Sequence, residues 1–258
     1  MINQDKEEQI LRKHLLDLAN TSYQRGINLF SDFLNLNEQS LLSGLKNELP
    51  RIKYFANGGF ADAERKILCF CGNEQITKEE EVAFPIACIC VEPINHKFSD
   101  LLNHRDFLGA VLNLGLDRGK IGDIIIEDNK GTIFAHTAIS PFITEQLTKV
   151  KHTMVSCTII EQKDFHYQPK FTEILGTVSS IRLDSILSVA FRSSRSSLTG
   201  LIEGGKVFVG GKQVFSNSYT LKENDIVSVR GMGKFVFAGT SYQTKKGRYS
   251  VKVLLYSA

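Results

Sequence analysis

The sequence predicts an α+β protein in three parts: a helical N-terminal region over residues 1–48, a small mixed α/β middle domain over 49–178, and a C-terminal module of two helices and a hairpin with a β extension over 179–258. Three observations carry this. Apolar residues recur at helical spacing before residue 50, and they fall into short runs between turn residues after it. The C-terminal segment then reverses the sign of the charge: Ile181 to Ala258 hold 12 Lys+Arg against 4 Asp+Glu, a net of +8, leaving 19 against 24, or −5, for residues 1–180. The whole-chain value of +3 conceals that asymmetry, and a basic terminal module implies a polyanionic partner.

Composition excludes several classes. At 258 residues, 42% hydrophobic and 23% charged, the chain has the make-up of a globular protein. The start lacks a basic flank followed by an apolar segment, and the longest apolar run, 82–91, is broken by Pro85. Neither a signal peptide nor a membrane span is expected, and five cysteines, an odd number, suit reduced thiols in a cytoplasm.

In chain order, Ile10, Leu11, Leu15, Leu16 and Leu18 form one helical stripe, Leu29, Phe30, Phe33 and Leu34 begin a second, and Leu41, Leu42 and Leu45 follow Asn37 in a third. Strands are expected at Ile67–Cys71, Ala83–Val91, Asp123–Ile126 and Gly131–Ala135, with turns at Asn57-Gly-Gly and Asp128-Asn-Lys-Gly. Between them Asn103 caps a helix, Asp106 suits its positive end, and Gly115 stops it. A further helix is expected over Ser140–Thr148, and extended segments over Val155–Ile160 and Phe171–Val178.

The basic segment opens with Leu183, Ile186, Leu187 and Ala190 on one helical face. Ser193 or Ser194 then caps a helix carrying Leu198, Leu201 and Ile202, closed by Gly204-Gly205. Lys206-Val-Phe-Val-Gly-Gly-Lys reads as a hairpin, Ile226–Arg230 as another strand, and Lys234–Phe237 with Arg248–Tyr256 as a hairpin extension. This arrangement places Arg182, Arg192, Arg195, Lys206 and Lys212 near one rim. There guanidinium forks can grip phosphates and the helix start at Ser194 adds amide donors. Arg230 and Lys234 flank Gly231-Met-Gly233, where backbone can approach a phosphate closely.

Arg182-Leu-Asp, Ser194-Arg-Ser, Leu201 to Val209 and Glu223 to Val229 resemble the alpha-L motif, the RNA-binding domain named after the small-subunit ribosomal protein S-four. Gly210-Gly211 stands where that family usually has Asn-Gly, and a primed turn accepts both. Over nearly the whole chain, Phe55 to Lys66 (FANGGFADAERK), His104 to Ile124 (HRDFLGAVLNLGLDRGKIGDI) and Val227 to Phe235 (VSVRGMGKF) are similar in order and spacing to the YlmH family of bacterial proteins. The resemblance implies an RNA-recognition-like middle domain, a gene in a cell-division locus, and a ribosome-associated protein that binds large-subunit ribosomal RNA and tRNA. It further implies action where a stalled ribosome holds a peptidyl-tRNA, alongside other ribosome quality-control proteins. In the middle domain it draws attention to His104, Arg105, Arg118 and Lys120, as RNA contacts or as supports of the helix start.

Other motifs carry less. Arg182-Leu-Asp matches the catalytic triplet of pseudouridine synthases, but there the module precedes the catalytic domain that holds the aspartate, and here Asp184 lies inside the module itself. His104-Arg-Asp matches a kinase catalytic loop, yet position 111 is Val and the glycine-rich loop is missing. Cys69-Phe-Cys71 and Cys88-Ile-Cys90 invite a four-thiolate zinc site. Their spacing within apolar strands instead predicts buried thiols on neighbouring strands. No cofactor, metal site or catalytic set is expected, so the function predicted is binding. Two alternatives remain at this level: an RNA-processing or RNA-modifying factor, and an adaptor linking translation to cell division through the N-terminal helices.

Overall fold

The computed structural model describes residues 2–256. They form two compact units, one running to Tyr167 and one beginning at Gln168. Each is built around its own sheets.

The first unit opens with α1 (Ile2–Arg25), β1 (Asn28–Leu34), α2 (Leu36–Leu45), β2 (Lys53–Asn57) and β3 (Lys66–Cys71). The strands pair in the order β1-β3-β2, and Leu15, Ala19, Leu42 and Leu45 bury the helices against Leu34, Leu68 and Phe70 of the sheet. Segment 28–34, expected as a helix, is a strand. Gly26 ends α1 at φ +66°, and β1 pairs with β3 through a bulge between Phe30 and Phe33. One extra residue shifts the strand's alternation, so the apolar spacing imitates a helix. The expected N-terminal helical region is accordingly neither wholly helical nor a unit of its own.

The rest of this unit is β4 (Ile86–Pro93), α3 (His104–Leu112), β5 (Ile121–Glu127), β6 (Lys130–His136), α4 (Ser140–Gln146), β7 (Lys149–Val150) and β8 (Thr153–Ile160). The strands form one antiparallel sheet in the order β5-β6-β4-β8-β7. Without the short β7 this is a β-α-β-β-α-β unit with two central strands, β6 and β4. α3 and α4 cover one face through Phe107, Val111, Ile143, Ile89, Ile133 and Val155. The other face, bearing Ile86, Cys88 and Phe134, is buried under Phe33 and Ile67 of the first sheet together with Phe60 and Phe165. Gly59, at φ +97°, belongs to this cover, because a Cβ there would meet the Phe134 ring at 2.4 Å.

The second unit comprises β9 (Phe171–Val178), α5 (Leu183–Phe191), α6 (Arg195–Glu203), β10 (Val207–Val209), β11 (Lys212–Gln213), β12 (Ile226–Val229), β13 (Gly233–Gln243) and β14 (Tyr249–Tyr256). All six strands form one antiparallel sheet, β11-β10-β12-β13-β14-β9. The sequence boundary at 178 puts β9 in the middle domain, and the structure puts it in the second unit. It pairs along its full length with β14, from Phe171 opposite Tyr256 to Val178 opposite Tyr249. A partner at the opposite end of the module leaves no local trace in sequence. Leu183, Ile186, Leu187, Leu198 and Ile202 pack the two helices on one face of the sheet, against Val207, Val227, Phe235 and Val251.

Candidate nucleic-acid interface

The turn between α5 and α6 is an exposed basic feature of the second unit. α5 ends because Arg192 turns left-handed, at φ 48° and ψ 39°, a conformation that costs a residue with a Cβ about 1 kcal/mol. The Ser188 hydroxyl secures the turn by donating to the Ser193 carbonyl at 2.7 Å. Ser194 then caps α6, its hydroxyl accepting from the Ser197 amide at 3.4 Å. Arg192, Ser194 and Arg195 are all exposed there. The first turn of α6 holds no acidic residue, so two guanidinium groups sit at the positive end of the helix dipole. That arrangement is unfavourable until an anion binds, and it supplies both the charges and the amide donors to bind one.

The predicted single rim divides in two. α5 and α6 are nine residues each, about 14 Å long, and Arg182 and Lys206 lie at the ends away from the turn. Asn217 joins those ends: its carbonyl accepts from the Asp184 amide at 3.3 Å and its side chain donates to Glu203 at 2.9 Å. Arg182 is paired with Asp184, Nε to Oδ1 at 3.2 Å, and the buried Asp184 carboxylate also accepts from the Ser185 amide at 2.9 Å. Asp184 thus supports the start of α5. Lys212 is exposed beside the Gly210-Gly211 turn, whose φ angles of +55° and +79° suit a primed hairpin.

The Arg230 and Lys234 side chains belong to the sheet rather than to the helix pair. Arg230 lies over the Phe208 ring at 5.0 Å, and Lys234 over the Tyr256 ring at 4.0 Å, on the sheet face opposite the helices. Lys206 faces Arg230 across the ladder, its carbonyl accepting from the Arg230 amide at 2.9 Å.

In the first unit, Asn103 and Asp106 form a capping box at the start of α3. Arg105 is exposed and lines an open groove with Lys149 and Lys151. Arg118 and Lys120 are engaged within the unit: Arg118 donates to the carbonyls of Ile121 and Gly122, and the partly exposed Lys120 is ion-paired with Asp32 at the surface. Burial, then the neighbouring Arg65 guanidinium, lower the Arg118 pKa to about 10. His104 is shifted below its ordinary value by partial desolvation and by Arg118.

Two family matches coincide with these parts. The family described as "Putative RNA-binding domain in YlmH" matches residues 80–166, and the S4 domain matches residues 181–227. The chain is 31% identical over 225 residues to the "Ribosome-associated protein quality control protein P2" of Bacillus subtilis, covering 86% of this chain and 84% of that one. The chain belongs to the YlmH family. A solved structure, "Cell division protein ylmH from Streptococcus pneumoniae", aligns with 61% of this chain and 91% of its own, at 21% identity and a TM-score of 0.48.

Two of the stretches that carry the YlmH pattern meet in space. The Asp123 carboxylate accepts from the Glu64 amide at 2.6 Å and the Arg65 amide at 3.4 Å. The Arg65 guanidinium donates to the carbonyls of Ile121, Phe33 and Arg118 at 2.9, 2.8 and 3.2 Å. Sequence reasoning missed Arg65 and Asp123, and the signal available was their presence in both quoted stretches. The cysteines also differ from expectation. Cys69 and Cys71 lie on β3 and Cys88 and Cys90 on β4, strands of separate sheets rather than neighbours. Burial raises the pKa of all four.

Proposed function

We propose that this chain binds RNA on the large ribosomal subunit, contacting ribosomal RNA and tRNA, and acts on stalled ribosomes that retain a peptidyl-tRNA. It works by binding, without catalysing a reaction, in the cytoplasm, alongside other quality-control proteins. The observation that carries this reading is the exposed Arg192–Ser194–Arg195 turn within an S4 domain. Its setting is a chain 31% identical to a Bacillus protein named for ribosome-associated quality control, over 84% of that protein's length. Guanidinium forks at a helix start grip the backbone of folded RNA and read its shape more than its sequence. The engagement of Asp184 with Arg182 and Ser185 favours binding over a catalytic use of that carboxylate.

The test is sedimentation of the tagged chain in a bacterial lysate on sucrose gradients at low and high salt, followed by identification of the co-purified RNA. Migration with large subunits that salt reverses, with tRNA in the same fraction, is the expected result. A chain that stays at the top of the gradient in low salt would overturn the reading.

A further inference from the structure

The sheet face opposite the helices carries an ordered aromatic and basic row. The strand registers bring Phe208, Ser228, Lys234, Tyr256 and Phe171 side by side across β10, β12, β13, β14 and β9. The alternate positions Val207, Val229, Phe235 and Val253 point the other way, into the core beneath the helices. Nothing in the core therefore demands rings at positions 208, 256 and 171. Phe171 is 40% exposed and meets Tyr256 edge to face with centroids 4.8 Å apart. Arg230 and Lys234 sit over the Phe208 and Tyr256 rings, and one acidic side chain of this face, Glu173, is already neutralised by Lys252.

A sheet face that interleaves flat rings with cations suits a flexible polyanion that carries its own flat rings: the exposed Phe171 ring and the Arg230 guanidinium plane backed by Phe208 accept stacked bases, and Lys234 over Tyr256 meets a phosphate. Phe208 and Tyr256 are three strand spacings apart, about 14 Å, a span that several splayed nucleotides can follow. We propose that this face is a second RNA contact, a stacking platform for unpaired nucleotides, separate from the α5–α6 turn. The proposal rests on the RNA-binding reading above and assigns it a second surface. The equivalent open face of the five-stranded sheet in the first unit is filled by Phe33, Ile67, Phe60 and Phe165, so it cannot serve this purpose.

The experiment measures binding of the full chain to a short fluorescein-labelled oligouridylate, which has free bases and no folded structure, and in parallel to purified large subunits. Phe171→Leu, Phe208→Leu and Tyr256→Leu remove the rings but keep apolar volume on a surface. Together they should weaken oligouridylate binding about tenfold or more, while Tyr256→Phe alone binds like the wild type. Arg192→Glu with Arg195→Glu should weaken subunit binding by a larger factor than it weakens oligouridylate binding. Equal oligouridylate binding by the triple variant, or none by the wild type, would overturn the platform and leave the ribosomal reading standing. Oligouridylate binding that depends on the rings, in a chain that ignores large subunits, would support the platform and overturn the ribosomal reading instead.

Discussion

Phe60 stacks on Phe134 with ring centroids 4.9 Å apart, and Phe165 meets the same Phe134 ring edge-on at 5.0 Å. Phe134 lies on β6, a central strand of the β-α-β-β-α-β sheet, on the face away from its helices. RNA-recognition domains stack bases on aromatic residues of their sheet. Here the chain's own rings occupy that place, so the face bearing Phe134 is closed to stacked bases.

Phe60→Ala should therefore destabilise the first unit by about 2–3 kcal/mol, somewhat less than for a fully buried ring, and leave RNA affinity unchanged at temperatures where the variant is folded. Urea unfolding and a binding titration check both halves. A loss of affinity in the folded variant would show that the covered face takes part in recognition.

Asp123→Ala strips two backbone amides of their acceptor and two guanidinium groups of a nearby charge. It should cost about 2–4 kcal/mol, confined to the first unit. Hydrogen exchange should show faster opening of β1, β5 and the segment around Arg65, with protection in the second unit retained.

The thiols should be inert in the native state. Burial raises Cys88 to about 12 and Cys157 to about 11, and shifts Cys69, Cys71 and Cys90 upward. Since the thiolate is the reactive form, labelling with iodoacetamide at pH 8 should be slow in native protein and fast after unfolding in urea. Rapid native labelling of Cys69 or Cys88 would contradict the burial described.

Acidification should weaken the fold first through histidine. His136, half-buried, and with less weight the exposed His104 lie below the unfolded value of about 6.5, each through desolvation and then a nearby cation, Lys120 for His136 and Arg118 for His104. The unfolded chain then binds protons that the folded chain refuses, so stability is lost as pH falls through and below 6.5. The unfolding midpoint should drop between about pH 7 and 5, and His104→Gln with His136→Gln should flatten that drop. An equal slope in the double variant would contradict the assignment. The lowered carboxylates Glu81 and Glu92 add a further loss only at more acid pH, from the ordinary carboxylate range down through their lowered values.

Local signals were legible and remote ones were not. The Asn103 cap, the Ser194 cap and the glycine hairpin after Val209 are written in consecutive residues, and the structure has each of them. Segment 28–34 misled because a bulge gives a strand the spacing of a helix. β9 misled because its partner β14 lies at the other end of the module. For the site, composition located the basic module but not its division. Arg182 and Lys206 lie away from the α5–α6 turn, while Arg230 and Lys234 fall on the opposite sheet face because strand alternation sends them there. Arg118 and Lys120 looked available in sequence, and only the folded chain reveals the carbonyls and the carboxylate that engage them.

Whether the α5–α6 turn grips RNA phosphates is tested most directly by the salt dependence of binding to purified large subunits. With about six phosphates neutralised, log K for the wild type should fall against log salt with a slope of roughly −4 to −5. Arg192→Glu with Arg195→Glu should bind more weakly at every salt concentration and with a slope shallower by about 2. Superimposable plots for wild type and variant would contradict that role for the turn.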